Sequence, residues 1–219
     1  MGRVSRAQAQ ENRQRVVATA SRMFREKGTT VSVADLMKAA GLTHGGFYKQ
    51  FASKEDLVDE AIAHAFAEQA AHSAMAFDED TDEHAEEHEA ARRTLIEDYL
   101  SVWHRDHPAE GCPVSGFAAD LGRDPEQAAR AQHVYINGVR NRAARLATGD
   151  DDGMAQLCTM VGALVLARAT RGNPISEELL QAARTALTDS AGREPQRRTD
   201  RPEPAGCADS AGSPRRPTS

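Results

Sequence analysis

The sequence predicts an all-α fold, and three observations lead to that prediction. Apolar residues recur at helical spacing, as in the stripe of Val16, Ala20 and Phe24. Helix start signals and Gly or Pro stops separate such stripes along the chain. No alternation of Val, Ile and Thr is long enough to predict a strand. A chain of 219 residues is long enough for one large core or for a small domain and a larger one.

Two helices with clear end signals are predicted at the start of the chain. The first covers about residues 11–27, and Gly28 follows its basic last turn as a C-cap. Ser32 can cap the second helix with Asp35 at the third position, and Gly41 supplies the left-handed residue that ends it.

A third, short helix follows at once and completes a helix-turn-helix motif. Thr43 is placed to cap this helix, and Phe47 and Phe51 lie one turn apart and face inward. The opposite side is left to His44, Tyr48 and Lys49. Two short helices that pivot on a glycine are the layout with which many proteins read DNA.

The rest of the chain is predicted to be helical up to a polar tail. Ser53 with Asp56 opens a helix that runs to about Met75, and an acidic, solvated break covers residues 78–84. A helical stripe from Leu95 to Trp103 ends before Pro108, a loop covers residues 108–113, and helices follow at 115–122, 124–147 (opened by the Asp124-Pro125-Glu126 cap), 154–171 and 175–189. From Ala191 onward the composition is that of a disordered tail.

The charge distribution favours a nucleic-acid partner for one end of the chain. The net charge is −6 and the isoelectric point is near 5.8. Residues 1–54 nevertheless carry ten basic residues against three acidic ones, an excess of seven, and no Lys or Arg occurs between Glu55 and Ala91. A basic head on an acidic body orients the encounter with DNA.

Composition also predicts a cytoplasmic protein that makes no membrane contact. No segment approaches the apolar length of a membrane span, and the basic N-terminus lacks the apolar core of a signal peptide. The cysteines Cys112, Cys158 and Cys207 share no metal-type spacing, which favours reduced thiols.

The string Gly41-Leu-Thr-x-Gly-Gly-Phe-Tyr-x-x-Phe51, followed by Ser53-Lys-Glu-Asp-Leu57, resembles the signature of the TetR family of one-component transcriptional regulators. The likeness begins at a first helix near Asn12. It implies a helix-turn-helix DNA-binding domain over 1–54, a connecting helix over 55–76, and a helical effector-binding and dimerisation domain over 77–190. The polar tail occupies 191–219. Repression relieved by a small-molecule effector is the expected mode of action.

Six residues are predicted to contact double-stranded DNA, and the resemblance implies the same roles by position. They are Thr43 and His44 at base edges, and Gly45, Tyr48, Lys49 and Lys54 at the phosphate backbone. The alternative for Tyr48 is half-buried packing, since an aromatic ring at this place can do both.

A homodimer through the helices at 154–171 and 175–189 is predicted, because small residues on the first helix allow close approach and both helices have apolar faces. A two-fold dimer reads an inverted repeat. The alternative is that the leucines of these helices face the monomer's own core, namely Leu157, Leu164, Leu179 and Leu187.

The effector pocket is predicted from the few aromatic residues of the second half. Tyr99, Trp103, Phe117 and Tyr135 can line a cavity between helices, and ordinary core packing is the alternative. The small molecule is not named by the sequence. We expect no cofactor, no metal and no enzymatic activity.

Cys112 supports an alternative, thiol-based mode of sensing. It lies just before a helix start and near His104, Arg105 and His107, a setting that can lower the pKa of a thiol. A small structural residue at a turn is the other interpretation.

Two other protein classes are alternatives to the regulator. The His84-x-x-Glu87-His88 spacing fits a pattern found in zinc proteases, but it lies in an acidic segment poor in apolar residues, so we discount it. A helical adaptor that binds proteins through its C-terminal apolar helices predicts no affinity for DNA.

Overall fold

The computed structural model describes residues 6–74, 85–123, 129–149 and 151–189. Within these ranges the fold is all-α, as predicted, and one isolated bridge joins Thr148 to Asp151. The α-helices are α1 (Arg6–Lys27), α2 (Val33–Ala39), α3 (Lys54–Ala74), α4 (Ala85–Tyr99), α5 (Val102–Asp106), α6 (Pro113–Arg123), α7 (Ala129–Ala144), α8 (Met154–Ala169) and α9 (Ile175–Asp189). Short 3-10 helices cover His44–Lys49 and Pro108–Glu110.

The predicted end signals of the first helices are confirmed by local geometry. The Ser32 hydroxyl accepts a hydrogen bond from the Asp35 backbone N–H at 3.1 Å. Gly28 and Gly41 both have positive φ, of 79° and 71°, a backbone conformation that residues with a side chain rarely adopt. Ser53 accepts from the backbone N–H of Asp56 at 3.1 Å and so caps α3.

Two apolar clusters hold the helices together. The first joins α1, α2, the 3-10 helix at 44–49 and α3, and it also takes in Phe117 of α6 and Ala131 of α7. The second is built from α4 and α6–α9 around Leu146, Met160 and Leu164. Because α6 and α7 contribute to both clusters, the two halves of the protein are packed against each other rather than joined by α3 alone.

Several helix boundaries differ from the predictions. The stripe from Leu95 to Trp103 is not one helix, because α4 ends at Tyr99 and Ser101 caps α5 by accepting from the His104 N–H at 3.1 Å. The predicted loop at 108–113 contains a 3-10 turn.

The other differences are shifts of helix ends. Helix α1 begins earlier than predicted, at Arg6, and α6 begins at Pro113 rather than Ser115. Helices α7 and α8 end at Ala144 and Ala169, a little before their predicted ends.

Some predictions concern segments outside the described residues. These are the acidic break at 78–84, the cap at 124–126 and the tail at 191–219, and His84 lies in the first of them. Within the described residues, no helix is long and apolar enough to cross a membrane. In the same part of the chain, no group of three or more His, Cys, Asp or Glu residues could hold a metal ion.

Candidate nucleic-acid interface and adjoining cavity

The second helix of the motif is a 3-10 helix rather than an α-helix. Thr43 occupies its N-cap position with extended backbone (φ −83°, ψ 146°), and its carbonyl accepts from the Gly46 N–H at 2.9 Å. The predicted side-chain cap is wrong, because the Thr43 hydroxyl makes no capping hydrogen bond. Adjacent glycines at 45 and 46 favour this short, tight form, since glycine lowers α-helix propensity.

Two phenylalanines fix the short helix to the core, as predicted. Phe47 and Phe51 are both buried, and their rings stack with centroids 5.4 Å apart. The inward side of the 3-10 helix is therefore rigidly held, and its other side is presented to solvent.

Arg13 of α1 secures the end of the short helix, a role that the sequence analysis missed. Its guanidinium forms a bidentate ion pair with Glu60 of α3 and donates through Nε to the Gln50 carbonyl at 3.3 Å. It also lies 4.7 Å from the centre of the Phe51 ring. The hydrogen bond to Glu60 raises the pKa of Arg13. Arg13 thus ties α1, α3 and the end of the 3-10 helix into one unit.

The predicted DNA contacts lie on the exposed side of this unit. Thr43, His44, Gly45, Tyr48 and Lys49 are exposed, and Lys54 is half-buried at the first position of α3. Tyr48 is 67% exposed, so the half-buried alternative does not apply. Its ring meets those of Phe47 and His44 edge-on, at centroid distances of 5.1 and 6.2 Å.

Gly45 has space on the free surface of the protein. A Cβ atom built at this position meets nothing within 4 Å. The absence of a side chain here is therefore not required by packing within the chain. It leaves the backbone of the short helix open to close approach from outside.

A cavity of about 1030 Å³ lies beside α1, between this unit and the C-terminal helices. Tyr99 and Trp103, two of the four predicted pocket residues, line it. Phe117 is instead buried in the first apolar cluster. Tyr135 packs edge-on against Phe66, and its hydroxyl donates to the Val114 carbonyl at 2.8 Å. Burial raises the pKa of Tyr135 to about 12.

Phe117 and Tyr135, the other two predicted pocket residues, therefore take part in packing between helices. Phe117 and Tyr135 sit on α6 and α7, whose positions relative to α4 could not be derived from spacing along the chain.

His104 and Cys112 form one wall of the cavity through a chain of hydrogen bonds. His104 Nδ1 donates to the Tyr99 carbonyl at 2.7 Å, and Nε2 accepts from the Cys112 backbone N–H at 3.0 Å. Burial lowers the pKa of His104 to about 4, with nearby Arg168 and Arg142 acting in the same direction. The imidazole is therefore neutral at neutral pH and holds the start of α6 in place.

This arrangement differs from the positively charged setting that the sequence predicted for Cys112. The thiol side chain is buried, and neutral His104 supplies no positive charge beside it. Arg105 is engaged by Asp106 and by the Ser176 hydroxyl. His107 stacks on Trp103.

Arg25 connects the helix-turn-helix unit to the cavity, and this residue too was missed from sequence. Its side chain is 4% exposed and lines the cavity. It donates to the Gly111 carbonyl at 3.0 Å and pairs with Glu68 of α3 at 3.0 Å. Arg25 lies on the same face of α1 as buried Phe24 and Ser21. This spacing could have indicated from the sequence that Arg25 is buried.

Comparisons with known proteins agree with the fold and with the N-terminal motif. The sequence model described as bacterial regulatory proteins of the tetR family matches residues 16–61. The HTH-type transcriptional regulator AcrR of Shigella flexneri is 39% identical over 61 residues. That match covers 27% of this chain and 28% of the relative, so the likeness in sequence spans about a quarter of each protein.

Solved structures resemble the chain over most of its length. A TetR transcriptional regulator from Chloroflexus aurantiacus is 21% identical with a TM-score of 0.62, over 84% of this chain and 95% of that one. Reduced E. coli NemR is 17% identical with a TM-score of 0.64, over 82% and 97%. A TetR-family regulator from Agrobacterium tumefaciens is 18% identical with a TM-score of 0.65, over 83% and 98%.

At these identities the structural likeness shows the fold alone. The sequence motif and the family match support the assignment of the N-terminal segment. Residues 16–61 thus match the tetR family model, and the described part of the chain has the all-helical fold of solved TetR-family regulators.

Proposed function

We propose that this protein is a DNA-binding repressor that leaves an inverted-repeat operator when a small molecule enters its cavity. The observation that carries the proposal is the exposed polar side of the 3-10 helix at 44–49, held rigidly from beneath by Phe47, Phe51 and Arg13. A short helix fixed in this way can enter a groove without a further loss of conformational entropy.

The roles of the exposed residues follow from their chemistry. The Thr43 hydroxyl and the His44 imidazole can exchange hydrogen bonds with base edges. Lys49, Tyr48, the backbone at Gly45 and the start of α3 at Lys54 can hold phosphates. The excess of seven positive charges over residues 1–54 supplies the long-range attraction.

Selection of bound fragments from genomic DNA, followed by gel retardation, tests this proposal. His44→Ala should change the ranking of duplexes, because a lost base contact relaxes discrimination by about 1–3 kcal/mol at one position. Lys27→Ala is the matched control, since Lys27 is an exposed basic residue at the far end of α1. Equal retention of all duplexes by the wild-type protein would contradict the proposal.

A homodimer through α8 and α9 forms part of the proposal. Leu157, Leu164 and Leu187 are buried in the protein's own core, so they are not the dimer contacts. The opposite side of α8 remains apolar and exposed at Val165 and Leu166, with Gly162 between them and the solvent-exposed Cys158. Such an apolar patch supports pairing with a second copy.

Val165→Glu should therefore weaken the dimer, which sedimentation velocity measures directly. Arg140→Gln changes an exposed arginine of α7, outside α8 and α9, and should leave the dimer unchanged. A wild-type chain that sediments as a monomer at micromolar concentration would overturn this part of the proposal.

The link between effector and DNA is proposed to pass through Arg25. Because Arg25 pairs with Glu68 and the Gly111 carbonyl while lining the cavity, a bound molecule competes with or strengthens these contacts. A molecule that favours one arrangement of α1 and α3 shifts the population between DNA-competent and released forms, and couplings of about 1–3 kcal/mol suffice. Arg25→Met should lower the ratio of DNA affinities measured without and with effector.

A thiol sensor that uses Cys112 is the second candidate function. It is favoured by one observation, namely that Cys112 lies in the wall of the cavity. An electrophile that enters the cavity would then modify the thiol and displace the start of α6. Operator binding that stays unchanged after complete modification of Cys112 by iodoacetamide would reject this alternative, and Cys112→Ser is its control.

A further inference from the structure

One arginine of the cavity wall has no countercharge among the residues that the structure describes. Arg142 of α7 is 9% exposed, and its guanidinium lies 5.4 Å from the centre of the Tyr99 ring. Its Nε has no hydrogen-bond partner. A buried guanidinium is unfavourable unless an anion accepts its hydrogen bonds.

Two of the three carboxylates that line the cavity are paired with other arginines. Glu68 pairs with Arg25, and Glu110 pairs with Arg22. Asp98, the third carboxylate of the lining, is exposed on α4 and forms no ion pair with Arg142. No carboxylate in the described part of the chain is therefore paired with Arg142.

A second guanidinium, that of Arg145, lies in the same cavity lining as Arg142. Burial lowers the pKa of Arg145, and the charge of Arg142 lowers it further, so the two guanidinium groups lie close enough to repel each other. His104 is neutral and does not add to the positive charge, but it does not offset it either. An anion that entered here would relieve the repulsion.

The remainder of the lining around this charge is suited to an apolar body. Leu95, Tyr99 and Trp103 contribute aliphatic and aromatic surface to the same cavity. The lining also carries charged groups such as Arg25 and Glu68, and a few polar groups among apolar surface are usual in a small-molecule site.

We propose that the effector is an organic acid whose carboxylate is held by the guanidinium of Arg142 and whose apolar body rests against Leu95, Tyr99 and Trp103. This inference rests on the proposed function, since it names the chemical class of the effector. A guanidinium fork can hold both oxygens of one carboxylate. Neutral analogues of the same shape would leave Arg142 without an acceptor.

Matched pairs of acid and amide test the proposal on the full chain. The probes are 3-phenylpropionate with 3-phenylpropionamide, and hexanoate with hexanamide. Trp103 is the single tryptophan of the protein and lines the cavity, so its fluorescence reports binding. The wild-type protein should bind each acid roughly ten- to a hundredfold more tightly than its amide.

Variants at two arginines of α7 separate the anchor from general charge. Arg142→Gln should abolish the preference for acid over amide, whereas Arg142→Lys should retain part of it. Arg140→Gln changes an exposed arginine of the same helix, outside the lining, and should behave as the wild type. Because Arg142 forms no ion pair with a described residue, we expect Arg142→Gln to fold despite losing the contact with the Tyr99 ring, and circular dichroism verifies this.

The outcomes distinguish this inference from the proposed function. Equal binding of acid and amide by the wild-type protein, or binding of neither, would overturn the inference, as would a preference that survives in Arg142→Gln. Gel retardation of genomic fragments with the same preparations tests the function separately. A protein that prefers acids but retards no DNA would contradict the proposed repressor function and would support the acid site.

Discussion

Replacing His104 with Gln should flatten the dependence of stability on pH between neutral and acidic solution. An unfolded chain protonates this imidazole near its ordinary pKa of 6.5, whereas the folded protein holds the pKa at about 4 because the ring is buried. Protons therefore favour the unfolded state as the pH falls through this interval. Stability contributed by neutral His104 is complete above pH 6.5 and is lost as the pH approaches 4.

The size of the effect follows from the width of that interval. Each pH unit between the two pKa values is worth about 1.4 kcal/mol of unfolding free energy. The interval from 6.5 to about 4 then amounts to roughly 3 kcal/mol. Gln preserves a donor for the Tyr99 carbonyl and an acceptor for the Cys112 N–H, so the variant keeps both hydrogen bonds without titrating.

Urea unfolding followed by circular dichroism at several pH values measures this contribution. The wild-type protein should lose roughly 3 kcal/mol more than His104→Gln between about pH 7 and pH 4. His107→Gln removes an exposed neighbouring histidine and serves as the control. Parallel pH profiles for the wild-type protein and His104→Gln would refute the reasoning, because they would mean that the folded protein accepts the proton as readily as the unfolded chain.

Two further predictions concern the DNA surface and the packing of α7. Lys49→Ala and Lys54→Ala should each weaken binding to all duplexes and lower the slope of log affinity against log salt by about 1, measured by fluorescence anisotropy; an unchanged slope would remove that lysine from the phosphate contacts. Gly138→Ala would bring a Cβ to 2.0 Å from Phe66 Cε1, so urea unfolding should show a loss of about 1–3 kcal/mol. Gly122→Ala meets nothing within 4 Å and should lose no stability, whereas equal effects at both glycines would contradict the close packing of α7 on α3.

The parts of the fold that the sequence revealed are those determined by neighbours along the chain. Ser32 and Gly41 act within one helical turn, so a cap and a left-handed stop could be recognised from spacing alone. The second helix of the motif was placed correctly, but its 3-10 form was not predicted. The choice between a 3-10 and an α-helix depends on the two glycines and on the burial of Phe47 and Phe51. That burial is a tertiary effect, which spacing along the chain does not reveal.

The residues that connect distant helices were not predicted. Neither Arg25 nor Arg142 was singled out from the sequence, although each lies on the apolar face of its helix. For Arg142 the signal was present, because Val139, Ala143 and Leu146 lie at helical spacing around it. The partner helix of such a face cannot be read from periodicity, which is also why Phe117 and Tyr135 were expected in the cavity.

We propose that the exposed side of the 3-10 helix at 44–49 reads double-stranded DNA. Competition of labelled fragments, selected from genomic DNA, against bulk duplex at moderate ionic strength tests it most directly. The wild-type protein should retain a fragment with an inverted repeat at competitor levels that abolish non-specific binding, and the combined variant His44→Ala with Lys49→Ala should not. Loss of every fragment at the same competitor level for the wild-type protein and the variant alike would contradict the account.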